Sequence, residues 1–167
     1  SRMAGNWIDN SACVGEIGGE SAVFVGSHDY FLYAFGASDG QLRWKTGLGG
    51  EVYSAPAFGR AGGEAVLVAG CLNNHLYLVR AADGRVLTSF YTGKPIWDKV
   101  TKGETLWGSP VLLEAGAESA AIHGSFDGTL YVLPLAKPCS LQAMVRSTRS
   151  LWLGLLATFR LFEADGP

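Results

Sequence analysis

Three histidines, His28, His75 and His123, and three cysteines, Cys13, Cys71 and Cys139, are the side chains best suited to bind a metal or attack a substrate. Their spacing argues against both roles. The cysteines lie 58 and 68 residues apart with no C-x-x-C pair, so they read as buried reduced thiols. Each histidine stands near a recurring glycine, Gly26, Gly70 or Gly124, but at +2, +5 and −1 from it. A site built by repetition would share a register, so all three read as surface or satisfied core residues. Asp29, Asn73 and Asp127 do share one, and it is that of a hairpin turn, where short polar side chains bond their own backbone. Turn chemistry is therefore preferred to calcium ligation. Residues 15–20 (Gly-Glu-Ile-Gly-Gly-Glu) are the nearest thing to a phosphate loop, but no Lys-Ser/Thr follows, and they read as a loop between repeats. No Gly-x-Ser-x-Gly elbow occurs either. No catalytic, metal or cofactor-binding residue is expected.

What must position these side chains is a repeat. Val-Gly-Ser-His-Asp at 25–29 recurs as Ala-Gly-Cys-Leu-Asn at 69–73 and His-Gly-Ser-Phe-Asp at 123–127. Each copy ends on a Leu-Tyr pair, and Tyr33, Tyr77 and Tyr131 are 44 and 54 residues apart, as are Gly26, Gly70 and Gly124. Pro56 and Pro110 both lie 14 residues before their glycine, so the extra ten residues precede Pro110, and residues 94–103 account for them as an insertion. Residues 22–27, 31–35 and 41–45 alternate as strands around turns at Asp29-Tyr30 and Asp39-Gly40. The second copy repeats this at 65–70, 76–80 and 85–90 with Asn73-Asn74 and Asp83-Gly84. A further strand ending in the Ser-Pro element, at 52–58 or 106–113, completes four per unit. Four short strands in about 44 residues make the blade of a β-propeller. The expected fold is all-β, a partial propeller of about three four-stranded antiparallel blades over residues 1–133. Residues 134–167 form a non-repeat tail with helix-forming spacing at Leu151, Leu155, Leu156 and Phe159.

Gly124-Ser125-Phe126-Asp127-Gly128-Thr129-Leu130-Tyr131 and Asp39-Gly40-Gln41-Leu42-Arg43-Trp44 resemble the pyrroloquinoline-quinone-like (PQQ-like) repeat propeller. Within it, Asn10-Ser11-Ala12-Cys13-Val14, residues 25–29 and residues 107–114 are similar to the last blades of the β-alanine-activating members of the acyl-CoA synthetase family. Three positions depart from the pattern. Thr88 stands where the second unit should carry a tryptophan, Ala12 replaces the first Ser-Pro proline, and Lys137-Pro138 replaces the third Asp-Gly turn. The resemblance to quinone-dependent dehydrogenases would imply a calcium set and a disulfide of adjacent cysteines. The resemblance to adenylating enzymes would imply a phosphate loop and a carrier serine. None of these stands in this sequence.

Composition bounds the function further. Among 167 residues, 48% are hydrophobic, 17% charged and 23 are glycine, about twice the usual ~7% share, with no triplet period. Disorder and collagen are excluded. A net charge of −2 gives no footprint for nucleic acid. The longest apolar run, 151–162, is too short to span a membrane, which takes about 20 residues. Unpaired cysteines and the absence of a leader pattern point to the cytoplasm. The expectation is a non-catalytic propeller segment of a multidomain amino-acid-adenylating enzyme. Its partners would be the other blades or domains of that parent, or another protein. A quinone-dependent dehydrogenase is one rival. The other is a stand-alone scaffold using Trp97, Trp107 and Tyr91.

Overall fold

The computed structural model describes residues 4–92, 108–115, 118–124 and 130–135. These form three antiparallel sheets in chain order. The first blade is β1 (Cys13–Ile17), β2 (Glu20–Gly26), β3 (Phe31–Gly36) and β4 (Leu42–Gly47); the second is β5 (Ala57–Ala61), β6 (Glu64–Cys71), β7 (His75–Arg80) and β8 (Val86–Tyr91). The third is β9 (Val111–Ala115), β10 (Glu118–Gly124) and β11 (Leu130–Pro134). Every strand pairs with its sequence neighbour, so each blade is a meander. The insertion at 94–103, Asp127, and nearly all of the segment 134–167 lie outside the described residues.

The turns follow from backbone sterics. Gly40 and Gly84 have φ of 64° and 74°, a region that L side chains rarely adopt. Tyr30 and Asn74 also sit there, at 76° and 63°. Asp29 and Asn73 bridge those turns by accepting from the N–H two residues on, Phe31 and His75, each at 3.2 Å.

Two expectations need correction. Residues 15–20 are not a loop between repeats: Cys13–Ile17 is the first strand, and Gly18-Gly19, at φ 60° and 85°, turn it back into β2. Gly62 and Gly63 do the same, at identical angles, between β5 and β6. The Ser-Pro element does not end a strand either. β5 and β9 begin one residue after Pro56 and Pro110, because proline has no N–H to give a ladder and so stands at a strand's start. Residues 52–56 form a connector instead, with Val52 fully buried against Gly26.

Blades one and two meet over one apolar core. Phe24 stacks on Phe58 at 5.7 Å and tilts against Trp44 at 5.8 Å, surrounded by Leu32, Ala34, Leu67, Ala69 and Val79. Gly15 permits this, since a Cβ there would lie 2.4 Å from the Phe58 ring. The Trp44 indole N–H donates to Ala81 C=O at 2.9 Å, and its ring lies under Gly84. That tryptophan thus pins its own blade to the turn of the next.

Blades two and three meet over a thinner core of Val68, Leu76, Ala121 and Leu135, with Leu78, Leu112 and Leu133 against it. Pairing aligns Thr88 (opposite Leu78) with Trp44 (opposite Ala34), while the repeat aligns Val68 with Phe24 and Leu112 with Phe58. The aromatic triad is lost. A cavity of about 20 Å³ remains there, lined by Val68, Leu76, Thr88, Ala121, Leu133 and Leu135 among others, and Thr88 Oγ1 is buried without a partner. Phe90 lines the same cavity and packs against Tyr131 at 5.6 Å.

Candidate interaction surface

The repeated polar residues are brought to one end of each sheet, where connectors cross the turns. In blade one, Asp29 accepts from the Tyr33 hydroxyl and from Gly5 N–H at 2.7 Å. In blade two, Asn73 bonds Tyr77 Oη and donates to Leu48 C=O, both at 2.8 Å. In blade three, Tyr131 Oη donates to Thr92 C=O at 2.8 Å. Each tyrosine ties its blade, directly or through the turn residue, to a connector. Burial raises Asp29, but the Tyr33 hydroxyl and the N–H groups of Gly5 and Phe31 outweigh it and hold the carboxyl below its usual range. Tyr33 is pushed up to about 12, by burial first and then by that carboxylate. An aspartate so committed is a structural anion.

The recurring glycines serve the same crossing. A Cβ on Gly26 would lie 2.5 Å from Val52, and one on Gly70 would lie 3.0 Å from Ser54 Oγ. Asn10 donates to Gly26 C=O at 3.1 Å and Val52 C=O at 2.8 Å, while Ser54 bonds both polar groups of Gly70 at 2.8 and 3.0 Å. Gly124 meets nothing within 4 Å. Pro56 and Pro110 stand immediately before β5 and β9, and residues 125–129, Asp127 among them, lie outside the described residues.

The histidines divide. His28 is buried, bonds Asp9 at 2.8 Å, and packs on Tyr53 with ring centroids 3.9 Å apart. His75 bonds Asn73 C=O at 2.9 Å through Nδ1 and lies 5.1 Å from Tyr91. His123 departs from the expectation of a satisfied core residue: it is 1% exposed, and neither ring nitrogen has a partner. Burial alone pushes its pKa down, which favours the neutral ring. Cys13 and Cys71 are unpaired, and burial pushes both thiols up to about 11, which keeps them protonated and unreactive.

Trp7, Asp9 and Tyr53 were not distinguished by sequence reasoning. Residues 4–12 occupy in blade one the place that 48–56 occupy in blade two: His28 N–H donates to Trp7 C=O at 3.0 Å as Leu72 N–H donates to Glu51 C=O at 2.9 Å. The 44-residue offset that pairs Ala12 with Pro56 also pairs Asp9 with Tyr53 and Trp7 with Glu51, but the residue types differ, so the repeat leaves them unmarked. Trp7 presents its indole to solvent, 76% exposed, on a backbone also held by the Ser27 hydroxyl at 3.2 Å. The Asp9–His28 pair has a catalytic look, but Ser27 Oγ is spent on Trp7 C=O and Asp29 N–H. No group of three or more potential metal ligands occurs among the described residues. No helix there is long and apolar enough to cross a membrane.

The family profile described as outer membrane protein assembly factor BamB, a PQQ-like repeat profile, matches residues 11–102. The chain belongs to this PQQ-like propeller family. Its solved neighbours agree on the propeller. BamB from Moraxella catarrhalis superposes with a TM-score of 0.56 at 18% identity over 78% of this chain and 35% of that one. Sqt1 from Saccharomyces cerevisiae gives 0.56 at 17% over 78% and 32%. The computationally designed Ika4 protein gives 0.54 at 16% over 82% and 71%. At these identities the shared property is the fold. This PQQ-like chain spans about a third of the first two. No sequence relative was found among curated proteins.

Proposed function

We propose that this chain is a non-catalytic arc of a PQQ-like propeller whose work is docking, and that the face of blade one turned away from blade two receives another blade. The same face differs between the first two blades. In blade two, Leu67, Ala69 and Val79 are fully buried beneath blade one and Phe58 stacks on Phe24. In blade one the positions of Leu67 and Val79 are Val23 and Phe35, only half-buried, and Val14, in the place of Phe58, is 66% exposed, while Val25, in the place of Ala69, is buried. Such an apolar face with a known complement is an interaction surface.

The opposite end is built differently. Gly15 and Gly59 admit Phe58 and Leu112 from the following blade, whereas blade three carries Leu113 at that position. A further blade could pack behind blade three only with a small residue at its Phe58 position.

Sedimentation velocity of the chain tests this reading. Concentration-dependent association, reduced by Val14→Asp without a change in melting temperature, is expected; a monomer indifferent to that substitution overturns it. The similarity of residues 10–14, 25–29 and 107–114 to β-alanine-activating enzymes supports an amino-acid-adenylating parent acting in the cytoplasm, with the adenylation and carrier chemistry on other domains. Sequencing the full transcript decides this, since such a parent requires an adenylation loop and a carrier serine. Added quinone with calcium should leave the melting temperature unchanged; a rise would favour the dehydrogenase reading.

A further inference from the structure

Three side chains of blade three reach across the second seam to the edge of β5 that faces away from β6. Ser109 Oγ accepts from Ala55 N–H at 3.1 Å, Glu114 Oε1 accepts from Arg60 N–H at 2.6 Å, and the Ser119 hydroxyl donates to Arg60 C=O at 2.6 Å. The last two act as a unit, because Glu114 and Ser119 stand opposite each other across β9 and β10. Hairpin geometry explains why that edge is available. The turn at Gly62-Gly63 makes Ala61 and Glu64 the bonded pair, so Arg60, one residue back, directs its N–H and C=O away from β6.

The 44- and 54-residue offsets together carry Ser109, Glu114 and Ser119 onto Ser11, Glu16 and Ser21, so blade one has the same three residue types at the same three places. Glu16 stands opposite Ser21 across β1 and β2 as Glu114 stands opposite Ser119. By strand alternation Glu16 shares the face of Val14. Blade two has Ala55, Arg60 and Ala65 at these positions, with neither hydroxyl nor carboxylate. In blade one all three residues are exposed, and among the described residues none of the three side chains has a hydrogen-bond partner.

We infer that Ser11, Glu16 and Ser21 form a clamp for the inner strand of a further PQQ-like blade. This rests on the reading that the face of blade one receives a blade, and it adds what that blade must present. Its inner strand offers one N–H to Ser11 and, five residues on, the N–H and C=O of a single residue to Glu16 and Ser21, as Ala55 and Arg60 do for blade three. The residue before that one is glycine. A Cβ on Gly59 would lie 2.7 Å from Glu114 Oε1 and 3.1 Å from Leu112, so a side chain there would drive the carboxylate off its bond. β1 and β5 meet the requirement with Gly15 and Gly59 but already face the next blade, while blade three has Leu113 at that position. The occupant is a blade other than these three, and the end of a second copy does not fit. Specificity lies chiefly with Glu16, whose charge-assisted bond is roughly twice as strong as a neutral one.

The test is a tandem chain in which residues 48–91 precede residues 4–167, which sets a copy of blade two in repeat register ahead of blade one. Amide hydrogen exchange followed by NMR should find the added copy's Ala55 and Arg60 amides protected. Glu16→Ala should speed exchange of the added Arg60 amide about tenfold or more, and Ser11→Ala that of the added Ala55 amide, each leaving the other slow. Gly59→Leu in the added copy alone, which reproduces Leu113 of blade three, should expose the Arg60 amide as Glu16→Ala does. Ser21→Ala should lower the melting temperature of the tandem chain by about 3 °C and leave the 167-residue chain unchanged. An added blade that is protected but indifferent to Glu16→Ala and Ser11→Ala overturns the clamp and leaves the docking face standing. An added blade whose strand amides are unprotected overturns both. A fall in melting temperature on Glu16→Ala in the unextended chain would mean that the chain's own residues already hold the clamp, and the inference falls.

Discussion

A single hydroxyl marks the weak point of the second seam. Thr88 Oγ1 lies buried with no partner beside the cavity where its counterpart Trp44 would have placed an indole. Leaving such a group unsatisfied costs about 1–3 kcal/mol, so Thr88→Val should raise unfolding free energy by about 1 kcal/mol in urea titration. His123 has the same predicament with a titratable ring. Burial lowers its folded-state pKa, so the unfolded chain takes up the proton first as pH falls below about 6.5. Its contribution to stability is complete above that value and is lost progressively below it. Comparing urea unfolding near pH 7.5 and 5.5 should show this slope, and His123→Val, the residue that blade one carries in the same register at Val25, should flatten it. The buried, unsatisfied state of His123 could not be read from the sequence. Its register marks a strand end, whereas its burial depends on Gly70 and Gly108 approaching across the seam.

At the scale of elements, the turns were the most legible feature because they are dictated within four residues. Asp39-Gly40 and Asp83-Gly84 need a positive φ whatever surrounds them. Their surroundings still differ. A Cβ at Gly40 meets nothing, whereas one at Gly84 would lie 2.6 Å from Trp44 and 2.5 Å from Thr46 Oγ1. Gly40→Ala should therefore cost about 1 kcal/mol from the backbone alone, and Gly84→Ala clearly more because it also lifts the tryptophan off its neighbour; thermal melts of the pair separate the two contributions. The first strands were least legible. β1 and β5 are five residues long and carry a glycine at their centre, Gly15 and Gly59, which by propensity belongs in a loop. Those glycines are there to make room for the next blade, a demand that appears only when two sheets face each other.

Across the molecule, the two seams should open in order. The first holds Phe24, Trp44 and Phe58 together with the Trp44–Ala81 hydrogen bond; the second holds smaller side chains around a void. Native-state hydrogen exchange should find β10 amides released before those of β2, β3 and β6, as a separate cooperative unit. Equal protection across the three sheets would contradict this ranking.

The blade corners show how such a repeat can vary without changing. In blade one Arg43, from β4, reaches Glu20 at 3.3 Å and Asp39 at 3.2 Å. In blade two the equivalent acids, Glu64 and Asp83, are met by Arg80 from β7, at 2.6 and 3.2 Å. The counterpart of Arg80 in blade one is Gly36, where a Cβ would strike Arg43, and the counterpart of Arg43 in blade two is Leu87. An alignment scores these two columns as two mismatches, while the electrostatics of the corner are unaltered. Transpositions of this kind let copies of one motif drift apart letter by letter and still be the same object in three dimensions.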